Sequence, residues 1–329
     1  MTQAEYLARS NRRSEGRAIS RRDFLGGSAL LVLAAVNGCK TSGRAGEDTI
    51  IDMHQHAGYS GRPDEVLLAH QRAMGVQQTI LLPAGRPVQS ASTHDAVANG
   101  LQAQCYGNFA CFRIARMHRE KYFFGANEVP DLEEAPGEIE KYLKLGAVIL
   151  AEQKFGIECD APAMQTLYAL AAEYRVPILM HWQHGMYNYG FERFYRMLEK
   201  YSRTVFIGHA QTWWANIDKN HKDQSVLYPK GPVTPGGMTD RYLSDYPNLY
   251  GDLSAGSGLN ALTRDEQFTR EFLERHQDKL LYGSDCNDWM GKGSACQGAQ
   301  TIAAVRRLAP SKDVERKLLC ENARRLFRI

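Results

Sequence analysis

From Thr49 onward, short apolar runs that end in polar residues alternate with longer stretches whose apolar positions recur every three or four residues. The runs predict strands over 49–56, 78–83, 122–126, 147–155, 177–181, 204–209, 249–253 and 279–285. The stretches between and after them predict helices over 63–74, 96–119, 138–145, 161–174, 191–201, 263–276, 299–308 and 311–326. Strands alternating with helices imply a parallel sheet covered by helices, and eight strands close a barrel. The predicted fold class is α/β, a (β/α)8 TIM barrel over 49–329. The alternative, an open doubly wound sheet, would carry a glycine-rich phosphate turn after its first strand. This chain has His54-Gln55-His56-Ala57-Gly58 there. The one long connection, 210–247, is rich in Trp, Asn, Lys, Pro and Gly and is expected to be a lid or binding loop.

The first 48 residues follow a different pattern. Ser20-Arg21-Arg22-Asp23-Phe24-Leu25 precedes an uncharged apolar stretch, 26–36, too short to span a bilayer. The string resembles a twin-arginine export signal over 1–38. Val36-Asn37-Gly38-Cys39 resembles a bacterial lipobox, with Asn37 a poor match. Acylation of Cys39 would tether the protein to a membrane, and ordinary cleavage would leave it periplasmic. Residues 40–48 read as a polar tether.

Charge sharpens this division. The leader holds six Arg against Glu5, Glu15 and Asp23, so the remainder balances at 34 basic and 34 acidic residues. A neutral body carries no electrostatic footprint for nucleic acid, and the expected partner is a small-molecule substrate. The seven cysteines include no CxxC pair, which argues against a structural zinc site made of cysteines. Cys105 with Cys111, or Cys286 with Cys296, could form a disulfide in an oxidising compartment.

Candidate chemistry sits at the strand ends. Alternation places Ile50, Asp52, His54 and His56 on one face of the first strand, so two imidazoles stand side by side as a metal clamp. The fifth strand ends at His181, the sixth at His209, the seventh at Asp252 and the eighth at Asp285. Barrels of this kind place their active sites at these C-terminal ends. Any one of these residues alone would read as a hydrogen-bonded cap, but their recurrence in order does not.

Asp52-x-His54-x-His56, the His after the fifth strand, the His after the sixth and Gly283-Ser284-Asp285 resemble the amidohydrolase superfamily. Within it they resemble the amidohydrolase-related branch, which contains hydrolases and decarboxylases. Residues 321–327, ENARRLF, resemble that branch's closing helix. The resemblance covers 50–329. It implies a distorted barrel in which His54, His56, His181 and Asp285 bind a divalent metal, zinc first and manganese as the alternative. It also implies that His209 binds a second metal or assists catalysis. Asp52 reads as a buried group orienting this site.

The expected mechanism is hydrolysis of a carbonyl-type bond (lactone, ester or amide) by metal-activated water. Asp285 moves the proton, and His209 stabilises the oxyanion if it is not a ligand. Arg62, Lys154, Trp182 and His184 are candidate substrate-binding residues, the two cations for a carboxylate. Metal-dependent decarboxylation is the first rival, and a non-catalytic ligand-binding lipoprotein the second. The fourth strand leaves the metal count open. Alternation puts Val148, Leu150, Glu152 and Lys154 on the inward face. A buried Glu152 needs a partner, either Lys154 in a one-metal site or a pair of ions that it bridges. The branch usually has one metal and no acid at this place, so Glu152 departs from it; ligand supply favours two.

Overall fold

The computed structural model describes residues 49–85 and 105–329. The leader, the tether with Cys39 and residues 96–104 of the expected helix lie outside them. Eight strands appear in the expected order: β1 (Ile51–Gln55), β2 (Gln78–Leu81), β3 (Tyr122–Phe124), β4 (Leu150–Gln153), β5 (Ile178–His181), β6 (Phe206–His209), β7 (Leu249–Asp252) and β8 (Leu280–Leu281). All pair in parallel, in two runs, β1-β2-β3 and β4-β5-β6-β7-β8. Backbone bonds join the runs at both seams. Ala126 N donates to Ile149 O at 2.9 Å and Ala151 N to Ala126 O at 2.8 Å. Across the other seam Met53 N donates to Tyr282 O at 3.1 Å and Asp285 N to His54 O at 2.8 Å. The sheet is a closed (β/α)8 barrel.

Around it lie α1 (Asp64–Ala73), α2 (Asn108–Met117), α3 (Ala135–Lys144), α4 (Pro162–Tyr174), α5 (Tyr195–Lys200), α6 (Gln211–Ala215), α7 (Met238–Asp245), α8 (Ala255–Thr263), α9 (Glu266–Arg275), α10 (Gln297–Leu308), α11 (Lys312–Arg316) and α12 (Asn322–Phe327). Their starts follow local chemistry. Asp64 and Glu65 open α1 at the positive end of its dipole, and Pro162 opens α4 where no N–H is needed. Among the described residues no helix is long and apolar enough to cross a membrane.

Three features go beyond the expectations. The long connection is irregular over 216–237 and helical at its ends. It folds into α6 and α7, buries Trp213, Trp214 and Ile217, and is pinned by Trp214 Nε1 donating to Asp252 O at 2.9 Å. The helix α8 is hidden in sequence by Gly256 and Gly258, which oppose helix formation. Gly258 is required because any side chain there would strike the Leu253 carbonyl. The helix expected over 311–326 is interrupted by a π turn at Lys317–Glu321.

Strand alternation also fails at two points. Ile51, Met53, Ile80, Leu82, Ile149, Ala151, Leu179, Ile207 and Leu281 form one buried cluster, closed by Cys320, Ala323 and Phe327. Strict alternation would have placed Asp52 and Leu150 there instead. The β1–β2 register shifts between Asp52 and Gln55, and the β4–β5 register between Leu150 and Gln153. These irregularities let apolar residues fill the barrel while His54, His56 and Glu152 reach its mouth.

Candidate metal centre

Each ligand candidate at the mouth is held from behind. His56 Nδ1 donates to Leu82 O at 2.7 Å. His54 Nδ1 donates to Asp252 Oδ2 at 2.7 Å. His209 Nδ1 lies 3.2 Å from the same Asp252 oxygen and 3.1 Å from Ser254 Oγ, which itself donates to Asp252 Oδ2 at 2.7 Å. A ring that gives its Nδ1 proton to an acceptor presents a lone pair at Nε2. The Nε2 atoms of His54 and His56 then face each other at 3.1 Å. Two lone pairs at that distance repel unless a proton or a cation lies between them.

Carboxylates converge on the same point. Asp285 Oδ1 lies 3.4 Å from His56 Nε2 and 3.8 Å from His54 Nε2, and Asp285 Oδ2 lies 3.6 Å from His209 Nε2. Glu152 Oε2 lies 3.4 Å from His56 Nε2 and 3.6 Å from His54 Nε2. Asp285 Oδ1 and Glu152 Oε2 are buried and have no hydrogen-bond partner. A buried acceptor left without a donor is costly, so these oxygens call for a cation. Two groups could each hold an ion: His54, His56 and Asp285, and His54, Glu152 and His209.

The electrostatics agree. Burial disfavours a charged His54, yet Asp285 and Asp252 outweigh it and push the imidazole up to about 10. Burial likewise opposes ionisation of Asp252, but His54 and His209 pull it down to about 2. Asp285 and Glu152 also lie well below the ordinary carboxylate range despite burial, Asp285 through His54 and His209, Glu152 through Lys154 and His181. Three ionised carboxylates in one buried mouth create a site for positive charge.

The strand ends are shaped for this. Asp52 Oδ1 accepts from Ser284 N at 2.8 Å and His54 N at 3.1 Å, and Oδ2 accepts from Gln71 Nε2 at 3.0 Å, so Asp52 ties β1, the end of β8 and α1 together. At Gly283 a Cβ would lie 2.7 Å from both Asp252 Oδ1 and His54 Cβ, so only glycine lets β8 approach. Asp285 has φ 39°, a left-handed conformation that costs of order 1–3 kcal/mol for a non-glycine residue and persists where the surroundings fix it.

A family model described as amidohydrolase matches residues 51–329. The chain belongs to this amidohydrolase family. No curated sequence matches it. Among solved structures it is similar to an uncharacterised TIM-barrel protein from Bordetella bronchiseptica, with 14% identity and a TM-score of 0.57 over 85% of this chain and 98% of that one. A 2,6-dihydroxybenzoate decarboxylase from Rhizobium has 14% identity and a TM-score of 0.54 over 85% and 99% of the two chains. A probable 2-pyrone-4,6-dicarboxylic acid hydrolase from Acinetobacter baumannii, with citric acid bound, has 12% identity and a TM-score of 0.53 over the same shares. At such identities the likeness shows the fold alone.

Within this family frame the other candidate residues divide. His181 stands one step behind the converging atoms. Its Nδ1 lies 2.5 Å from Glu152 Oε1 and its Nε2 3.3 Å from Gln183 Oε1. Burial, helped by Lys154, lowers this imidazole to about 4, so it is neutral. Glu152 makes its short contacts with the imidazoles, and Lys154 acts on it through charge. Lys154 stacks 5.6 Å from the Tyr187 ring, and although burial opposes its charge, Glu152 and Asp285 hold it above the ordinary lysine value. Arg62 and Trp182 are corrections. Arg62 is fully buried and donates to Gln55 Oε1 at 2.8 Å, Cys286 O at 3.0 Å and Asp288 O at 2.7 Å. Trp182 is fully buried against Phe191 and Phe194. Neither offers a surface to a ligand. His184 is exposed and lines a groove with Gln183, Tyr189, Thr212 and Met238. Sequence reasoning missed Ser254, two residues beyond Asp252, because a lone serine after a strand carries no signal.

Proposed function

We propose that the protein is a metal-dependent hydrolase that cleaves a lactone, ester or amide bond of a small molecule. The observation that carries this reading is the pair of Nε2 atoms of His54 and His56 at 3.1 Å beside the unpartnered Asp285 Oδ1. One ion would be held by His54, His56 and Asp285, and a second by Glu152 and His209, because the single free lone pair of His54, at Nε2, serves one ion. Zinc suits such imidazole and carboxylate donors, with manganese the alternative. A bound divalent ion acidifies water and polarises a carbonyl oxygen. Asp285 accepts the proton from the attacking water at Oδ2, the oxygen not turned to the ion, and returns it to the leaving group. Asp252 and Ser254 hold the Nδ1 atoms of His54 and His209, fixing both rings. Lys154 binds an anionic group of the substrate.

Decarboxylation needs a cation to grip the substrate carboxylate. Arg62 is occupied by Gln55 Oε1 and two backbone carbonyls, so Lys154 is the cation that either reaction would use. The test is product analysis of the metal-loaded protein on lactones, esters, amides and aromatic carboxylates. The proposal expects a hydrolysed product without carbon dioxide; stoichiometric carbon dioxide release overturns it.

We also propose export through the twin-arginine string and tethering at Cys39. Arg21→Lys with Arg22→Lys keeps the charge and should block export, and Cys39→Ala should release the protein from the membrane fraction. Normal export of the first variant, or retention of the second, contradicts the respective reading.

A further inference from the structure

Behind the end of β8 lies a second cluster of donors that the mouth does not use. Cys286, Asp288 and Cys296 come from the irregular segment that leads into α10, and His70 from α1. His70 Nε2 lies 3.0 Å from Asp288 Oδ2 and 3.6 Å from Cys296 Sγ. Cys286 Sγ lies 3.7 Å from Cys296 Sγ and 3.8 Å from Asp288 Oδ2. All four donor atoms lie within 4.8 Å of one another. No disulfide joins the two sulfurs; both cysteines are free.

These separations have a chemical meaning. A tetrahedral zinc ion with bonds of about 2.3 Å to sulfur and about 2.0–2.1 Å to nitrogen or oxygen spaces two sulfurs about 3.8 Å apart. It spaces sulfur from nitrogen or oxygen by about 3.5–3.6 Å, and nitrogen from oxygen by about 3.3 Å. The four measured edges match that figure to a few tenths of an ångström. Three of the four side chains are fully shielded or nearly so, and the Asp288 side chain is only 9% exposed. The Nδ1 of His70 is buried without a partner, so the ring's directed contacts are at Nε2, inside the cluster.

Arg62 supplies an independent observation. Its guanidinium is buried, no carboxylate pairs with it among the described residues, and it donates to the backbone carbonyls of Cys286 and Asp288. An isolated buried cation is costly unless negative charge lies close by. Two thiolates and a carboxylate around a divalent ion would provide it, since such a set carries one net negative charge.

We propose that His70, Cys286, Asp288 and Cys296 form a structural zinc site, separate from the mouth, that staples the segment after β8 to α1. Four protein ligands leave no open position for water or substrate, which is the mark of a structural site. Binding removes a proton from each thiol, so zinc uptake is coupled to proton release. The lack of a CxxC motif hid the site: the two cysteines are ten residues apart and the His lies on another element.

The test is zinc X-ray absorption on the full-length, reduced, zinc-loaded protein. The Cys105 thiol borders the mouth at His56, so the diagnostic zinc–sulfur shell at about 2.3 Å is the one that remains in Cys105→Ser, whatever reaction the mouth performs. The expected result is a shell of about two sulfurs on one ion per chain. It should survive Cys105→Ser, which removes the thiol near His56, and vanish in Cys286→Ser with Cys296→Ser, with loss of about one zinc per chain. Should that double variant fail to fold, the Cys105→Ser protein alone decides. Absence of the sulfur shell from it, or a Cys286–Cys296 disulfide in the presence of zinc, overturns the proposal, as does a shell that persists in a folded double variant.

Discussion

Asp285 and Cys286 are neighbours in the chain, yet they serve two pockets of opposite character. Asp285 turns into the barrel mouth, where imidazole nitrogens and carboxylate oxygens converge and two oxygens remain unpaired. Cys286 turns toward α1, where sulfur, imidazole and carboxylate close on one another. The first pocket has more donors than one ion needs, and the second has four. Donor softness and closure thus separate an ion that meets substrate from one that fixes a loop. Asp285, four residues past β8, is in a left-handed conformation, and the side chains on either side of the next peptide bond enter different pockets.

The comparison breaks most sharply at His54, which belongs to both candidate groups of the mouth. His54→Ala should lower kcat by roughly a thousandfold or more, about 4 kcal/mol of lost transition-state stabilisation. It should also lower the mouth's metal content while the zinc–sulfur signal stays. Loss of both signals in a folded variant would show that the pockets are not independent.

Glu152 sharpens the account of the mouth. Glu152→Gln keeps the shape and removes the charge. It should reduce the metal bound at the mouth from about two ions to about one, with a rate loss of about a hundredfold. Elemental analysis checks this, and one mouth ion in the unmodified, metal-saturated protein contradicts the two-ion reading. His181→Ala separates ligand from support. If His181 only orients Glu152, metal affinity should fall about 10–100-fold, as for other supporting partners, and excess metal should restore occupancy.

Asp252 gives the acid dependence. Its carboxyl is held near 2 in the folded protein, below the unfolded value of about 3.9. The folded state therefore binds fewer protons, and stability rises with pH in this range. The stabilisation is complete above about pH 4–5 and is lost as pH falls toward 2. The stability gap between the parent and Asp252→Asn, measured by denaturant unfolding, should narrow over that interval.

Arg62→Met should have the smallest effect on chemistry. It removes donors from Gln55 Oε1 and from the carbonyls of Cys286 and Asp288, at a cost of about 3 kcal/mol in stability. The KM for an anionic substrate should stay within about twofold of the parent. A large rise in KM with unchanged stability would return Arg62 to substrate binding.

The difference in chemistry also explains what the sequence disclosed. Mouth residues recur at the ends of successive strands, so His54, His56, His181, His209, Asp252 and Asp285 could be read off the period of the barrel. The facing of Asp52 and Leu150 could not, because register shifts in β1 and β4 depend on neighbouring strands. Arg62 and Trp182 look like a cation and an aromatic near a rim, and only tertiary packing shows that both are internal. The sulfur cluster joins residues 70, 286, 288 and 296 across elements that share no sequence period. The helices α7 and α8 are obscured by glycine and proline in and before them, and α6 is a single short turn that burial of Trp213 and Trp214 holds in place.

The most direct test is anomalous diffraction at the metal absorption edge, on crystals of catalytically active, metal-replete protein. A strong peak among His54 Nε2, His56 Nε2 and Asp285 is the expected result. An active crystal with no anomalous peak within bonding distance of those three residues would contradict the assignment of the mouth as a metal centre.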